Sequence, residues 1–373
     1  MFGINDPPEA DFCHFALVAS GDSPRRANPP RDGEVNPPEC AMTKNNMKLS
    51  EIGELSLLKR IRERFKTGSG DVVAGIGDDA AVIAPHDQML LLTTDMMAEG
   101  VHFDLQFTTW FQVGFKLISS NVSDIYAMGG KPRFVLLNIA MDRKTDEKSL
   151  GCFLDGVERA MAVYRVELIG GDLSASRAGA AVSATLAGYA KKAVMRSGAR
   201  PGDKIYVTGK LGDSACGLEL LKIIRRPLSL ETGEKTDGPV GWSVMEPLLR
   251  RHLLPVARKP GKISGVATAM IDVSDGLFID LSRLCDESGV GARVSMGQLP
   301  LSSQMKKTSR ALGIDAYRLA TCGGEDYELL FTASSKRKVD AVCIGEITES
   351  DRVFIDRNGR EKPLLPEGYQ HWH

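Results

Sequence analysis

Residues 109–141, "TWFQVGFKLISSNVSDIYAMGGKPRFVLLNIAM", contain a helix, its stop and a strand in one run. Phe111, Phe115, Ile118, Val122 and Ile125 recur at helical spacing and mark one apolar face. Gly129-Gly130 closes the helix as a C-terminal cap, and the apolar "RFVLLNIAM" then reads as a strand. A helix turned directly onto a strand is the unit of an α/β protein. The flanking sequence repeats the alternation. Upstream, Ile52, Leu55, Leu58, Ile61 and Phe65 predict a helix, and "DVVAGIGDDAAVIA" and "QMLLLTTD" predict strands separated by a glycine-rich turn. Downstream come a helix through Phe153, Val157, Met161 and Tyr164, then the strands "VELIGGD" and "AAVSATLAGYA".

A new start follows near Ala190: "RSGARPGDKIYVTGKLGDSACGL" supplies a turn, a strand and another helix. The expectation is an N-terminal domain over 47–190 and a C-terminal domain over 191–373, with residues 226–240 as a surface loop in the second. Residues 1–46, with three Pro-Pro pairs and no periodicity, read as a disordered extension. The 373 residues carry a formal charge of −1 and are 43% hydrophobic, a balance that points away from nucleic-acid and membrane partners. Seven scattered cysteines without a C-x-x-C pair suggest neither a zinc cage nor a disulfide framework, but reduced thiols in a cytoplasmic protein.

Six acidic motifs lie at strand or helix ends beside glycine and small hydroxyl residues. They are Asp78-Asp79, Thr93-Thr94-Asp95, Asn121 with Ser123-Asp124, Gly170-Gly171-Asp172, Asp272 with Ser274-Asp275-Gly276, and Gly323-Gly324-Glu325-Asp326. Any one of them is explained by capping or a turn. Brought together, they would repel one another unless cations neutralised them. Oxygen donors of this kind suit Mg²⁺, which bridges protein acids to substrate phosphates, and the adjacent glycines would let backbone N–H groups approach phosphate. The Walker, dinucleotide-binding and protein-kinase signatures are missing; "GKLGDSACG" has its glycines and lysine in the wrong order. His102 is the one histidine beside an acidic motif, while His86, His252, His371 and His373 read as peripheral or terminal. Chemistry that needs no general base fits this inventory, because a phosphate monoester is largely dianionic at neutral pH.

The motifs "GIGDDAAVI", "LLTTDMMAEGVHF", "NVSDIYAMGGKP", "LIGGDLSAS", "IDVSDGL", "GGEDYELLF" and the closing "GYQHW" resemble, in order, those of thiamine-monophosphate kinases, within the aminoimidazole ribonucleotide synthetase superfamily. The resemblance implies a two-domain α/β (α+β) fold whose N-terminal mixed sheet forms a homodimer. It implies in-line transfer of the ATP γ-phosphate to thiamine monophosphate, with several Mg²⁺ ions, giving thiamine diphosphate. By motif it makes Asp79, Thr93, Thr94, Asp95, Asp124, Asp172, Asp272 and Asp275 metal ligands. Gly171, Asp172, Arg196 and Ser274 would contact ATP, and His102, Glu325 and Trp372 the substrate. One departure shows: an aromatic residue common in the helix before "GGD" aligns with Leu154. The rivals are a relative acting on another substrate, such as a selenophosphate synthetase, and an inactive nucleotide-binding scaffold. The former would want a reactive cysteine near a glycine-rich N-terminus, and the latter has no electrostatic reason to keep repelling acids.

Overall fold

The computed structural model describes residues 47–52, 54–66, 70–74, 76 and 81–371. The extension at 1–46, the Asp78-Asp79 doublet and Trp372 lie outside them. The first part of the chain forms α1 (Leu49–Ile52), α2 (Glu54–Arg64), β1 (Val72–Ala74), β2 (Val82–Ile83), β3 (Met89–Ala98), α3 (Trp110–Ala127), β4 (Lys131–Asp142), α4 (Glu147–Tyr164), β5 (Glu167–Ser176) and β6 (Ala181–Ala190). The second forms β7 (Lys204–Val207), α5 (Asp213–Ile224), α6 (Trp242–Leu253), β8 (Ala269–Asp272), α7 (Leu277–Ser288), β9 (Gly291–Ser295), α8 (Ser303–Leu312), α9 (Ala316–Cys322), β10 (Leu329–Ala333), β11 (Val342–Thr348), β12 (Arg352–Ile355) and β13 (Glu361–Pro363).

Two mixed sheets divide the chain between β6 and β7. The N-terminal one runs β3-β6-β4-β5, antiparallel except for the β4–β5 pair. The C-terminal one runs β13-β12-β9-β11-β7-β10-β8, parallel only at β12–β9. Helices α3 and α4 cover one face of the first sheet, where Leu117, Ile118, Val122, Phe153 and Val157 pack on Val135, Leu137, Val182 and Leu186. Each such side chain contributes about 1.5–3 kcal/mol on burial. The helices touch backbone to backbone through two glycines. A Cβ on Gly114 would lie 2.2 Å from the Phe153 carbonyl oxygen, and one on Gly156 only 1.9 Å from that of Phe111.

Helix α3 decides where the second domain sits. Thr109 and Gln112 form a reciprocal capping box at its start, and Gly129, at φ 73°, turns the chain after its end. Sequence periodicity assigns it one apolar face, yet every residue from Gln112 to Ala127 except Asp124 is buried. The C-terminal domain covers the side left by the first sheet. The segment 226–240 takes part and is no mere surface loop: Leu228 and Leu230 are buried, and Glu231 accepts a hydrogen bond from Gln112 Nε2 at 3.1 Å. The opposite face of the N-terminal sheet is covered at one end, where Val72, Ala81 and Ile83 pack on the buried Phe134, Ile169 and Ala187, and is open elsewhere, with Leu90, Leu92, Met96 and Leu136 exposed.

Candidate active site

Strand pleating sorts the "TTD" motif first. Thr93 and Asp95 point toward α3, where residues three apart on the helix receive them. Thr93 Oγ1 donates to Asp124 Oδ2 at 2.6 Å, and the Asp95 amide donates to Asn121 Oδ1 at 3.1 Å. Thr94 turns to the open face, where its hydroxyl donates to the Ala184 carbonyl and accepts from Thr185. Its side chain thus faces away from those of Thr93 and Asp95, with which the motif groups it. From the second domain, β8 ends on Asp272, whose Oδ2 accepts from Ser123 Oγ across the interface at 2.6 Å.

Three carboxylates thus come together at the domain junction, close enough to act on one another. Burial raises the pKa of Asp95, with the Asp275 charge adding to it against a hydrogen bond from Ser120 and the pull of His102. Burial is also the first cause raising Asp124 and Asp272; the charge of Asp272 pushes Asp124 further, and Asp280 and Asp95 push Asp272. Arg196, exposed on the segment between the domains, pulls both down without reversing the shift. Buried acids crowded together with one cation nearby are short of positive charge, the condition a divalent ion relieves. Among the described residues no three such side chains converge into a preformed cage, so phosphate oxygens and water would have to complete the coordination. With that completion the donor set fits Mg²⁺.

Asp275 follows Asp272 in the β8–α7 loop and forms an ion pair with Arg283 at 2.6 Å. The Ser274 carbonyl accepts from the Glu325 amide at 2.7 Å, which joins this loop to "GGED". Glu325 adopts φ 63°, a left-handed conformation that is strained for a non-glycine residue. Its two carboxylate oxygens each lie 2.9 Å from Nζ of the buried Lys116 on α3. Burial works to raise the Glu325 pKa, but the Lys116 charge outweighs it and holds the group below the usual glutamate value. His252 Nδ1 lies 3.2 Å from Glu325 and 3.1 Å from Ser214 Oγ; burial and the Lys116 charge push its pKa down to about 3, so the ring is neutral. The reading of His252 as peripheral fails because α6 turns it inward with Met245, Leu248 and Leu249.

His102 accepts the Ala98 amide on Nδ1 at 3.0 Å, leaving Nε2 as its donor. Burial, then His371, lowers its pKa. His371, terminal in the chain, brings its ring centroid to 5.1 Å from that of His102. The tail reaches this point because the Tyr369 amide donates to the Asp275 carbonyl at 2.9 Å. Asp172 lies apart. It pairs with Asn138 on the open side of the sheet, and β5 is the edge opposite β3, about 14 Å away by strand spacing. Gly171 is required by the sheet itself, since a Cβ there would lie 1.8 Å from the Leu137 carbonyl oxygen. Gly171 and Asp172 border a narrow, mostly apolar slot lined also by Ile61, Ile76, Leu154 and Leu168. A wider concavity of about 570 Å³ near Tyr317 and Phe354 contains none of these site residues.

The chain matches two family models, AIR synthase related protein, N-terminal domain, over residues 77–190, and the corresponding C-terminal domain over 200–358. It is 37% identical over 331 residues to thiamine-monophosphate kinase of Aquifex aeolicus, covering 87% of this chain and 100% of that one. The Salmonella typhimurium enzyme of the same name is 35% identical, covering 86% and 98%. The chain belongs to the thiamine-monophosphate kinase family. The structure of AaThiL complexed with AMPPCP and TMP superposes with a TM-score of 0.68 at 36% identity, over 87% of this chain and 99% of that one. Within this kinase family's two-domain architecture, the present chain gathers Asp95, Asp124, Asp272 and Asp275 at the domain junction and places Glu325 and His102 beside them.

Sequence reading passed over two residues of this site, Lys116 and His252. A signal for each was present. Lys116 and Asp124 are the only charged residues in the 18-residue α3, and His252 lies on the apolar stripe of α6.

Proposed function

We propose that this protein transfers the γ-phosphate of ATP directly to thiamine monophosphate, forming thiamine diphosphate and ADP in a Mg²⁺-dependent reaction. The observation that carries this is the group of buried, mutually repelling carboxylates from both domains, Asp95, Asp124 and Asp272, beside the Glu325–Lys116 pair. Asp95, Asp124, Asp272 and Asp275 would hold Mg²⁺, which when bound neutralises phosphate charge and aligns donor and acceptor phosphates. Thr93 and Ser123 hold two of these carboxylates in position. Arg196 and the hydroxyl of Ser274 are suited to the triphosphate. The substrate phosphate is its own nucleophile near its second pKa of about 6, so the protein needs only to align it. His102 offers Nε2–H, and Glu325 offers a charge-fixed carboxylate to the cationic, amine-bearing thiamine body.

The test is incubation of purified protein with ATP, Mg²⁺ and thiamine monophosphate, with chromatography of the thiochrome derivatives. Folded protein that forms no thiamine diphosphate overturns the reading and favours an inactive scaffold. A homodimer closing on the open sheet face is part of the same proposal, supported by the exposed Leu90, Leu92, Met96 and Leu136. Sedimentation of Leu92→Glu as a monomer, against a wild-type dimer, is the expected result. Among the described residues no helix is long and apolar enough to cross a membrane. The cytoplasm, where ATP and reduced thiols coexist, is the compartment this function suits.

A further inference from the structure

The loop "VSDG", residues 273–276, connects β8 to α7 and looks in sequence like a glycine-assisted phosphate cradle. Its hydrogen bonds point the other way. Asp280, fully buried on the first turn of α7, reaches back with Oδ2 to accept the N–H groups of Ser274, Asp275 and Gly276 at 3.1, 3.0 and 3.1 Å. Its Oδ1 accepts from Arg283 Nη1 at 2.7 Å, and the same nitrogen donates to Asp275 Oδ2 at 2.6 Å. With the three amides turned inward, the loop's carbonyls face its neighbours: Ser274 O takes the Glu325 amide and Asp275 O takes the Tyr369 amide.

We infer that Asp280 is a positioning residue that withdraws the amides of residues 274–276 from the domain junction and makes this loop a cation-facing element rather than a phosphate cradle. The inference rests on the Mg²⁺-dependent reaction proposed above. A phosphate needs donors, and these three are spent on Asp280. A cation needs oxygens, and the Asp275 carboxylate lies near enough to Asp95 to act on it. Through the same loop Asp280 places the Glu325 backbone and the tail that carries His371 to His102. Asparagine cannot replace it, because one end of its amide would present N–H either to the three backbone donors or to Arg283.

The experiment compares wild type, Asp280→Asn and Asp203→Asn for Mn²⁺ binding by electron paramagnetic resonance with AMPPCP present, and for the Mg²⁺ concentration giving half-maximal rate. Asp203 is a control: a buried carboxylate that accepts the Arg200 amide and the Thr268 hydroxyl, with no bond to the 273–276 loop. Asp280→Asn is expected to weaken Mn²⁺ binding and raise the Mg²⁺ requirement roughly tenfold, with the KM for ATP changed less than threefold; Asp203→Asn is expected to lower only thermal stability. Unchanged Mn²⁺ affinity in Asp280→Asn, or an equal shift in Asp203→Asn, overturns the inference. The Mn²⁺ measurement is readable even if wild type fails to phosphorylate thiamine monophosphate, so the two failures are distinguishable. Should Asp280→Asn not fold, amide exchange on the wild type decides: residues 274–276 are expected to be protected without ligand and to gain nothing from Mg·AMPPCP. A clear gain would show them binding phosphate and refute the role of Asp280.

Discussion

Replacing Lys116 by methionine keeps an unbranched side chain, one heavy atom shorter, and removes its charge. The ammonium is 5% exposed and lies 2.9 Å from Glu325, which is 29% exposed. At an effective dielectric near 20, two unit charges at that distance attract with about 6 kcal/mol gross. Methionine escapes the desolvation of a buried ammonium, and Glu325 retains some solvent and His252. The net loss is therefore at the lower end of the range for breaking a buried pair, about 3 kcal/mol. For a domain of this size that is a fall in Tm of about 6–12 °C. The pH dependence changes sign. In the wild type the Glu325 pKa is held down, so its stabilisation is present above about pH 4.5 and is lost as the pH falls through the lowered folded value. Without Lys116 burial dominates and the folded pKa rises, so the variant loses stability as the pH climbs from 4.5 toward the raised value. Scanning calorimetry between pH 5 and 8 measures the slope, and initial rates measure KM for each substrate. KM for thiamine monophosphate is expected to rise about tenfold, with that for ATP within twofold. A Tm within 2 °C of wild type, or equal changes in both KM values, would refute the assignment of Lys116 as the holder of Glu325.

Asp124→Asn is expected to abolish turnover yet make the metal-free protein more stable, by about 1–2 kcal/mol, because it relieves burial and repulsion that raise this carboxyl. An acid with a raised folded pKa makes stability decline as pH rises above the free carboxyl value, so melting in EDTA from pH 5 to 8 should show a shallower decline in the variant; a less stable variant contradicts the charge-crowded site. Asp95→Asn should lose at least a hundredfold in kcat with an unchanged circular dichroism spectrum, and wild-type rates would remove Asp95 from the metal set. Gly156→Ala, which forces a Cβ to within 1.9 Å of the Phe111 carbonyl, should separate α3 from α4 and lower stability by about 2–3 kcal/mol in urea titration.

Much of this architecture is written locally. The capping glycines after α3, the alternation along β6 and the acids that end β8 and line α3 follow from short-range rules, and the structure has them where those rules put them. What escaped is what two distant elements decide together. Asp172 looks equivalent to Asp95 in sequence, since each follows small residues on a strand. Only the order β3-β6-β4-β5 reveals that they occupy opposite edges and opposite faces. Thr94 is different, because the period of two along β3 already separates its side chain from those of Thr93 and Asp95. Helix α3 is the most instructive case. Periodicity alone describes a helix with one buried stripe, and on that description Lys116, Asn121 and Ser123 belong to solvent. A solvated face would be expected to carry many charges, yet this one has only Lys116 and Asp124 among serines and an asparagine. That scarcity is the trace of the second domain: Lys116 meets Glu325, Ser123 meets Asp272, and Asp124 remains the one partly open residue in the middle of the helix. A helix poor in charge on its supposedly wet side announces a second partner, and the few charges it keeps mark where that partner forms the site.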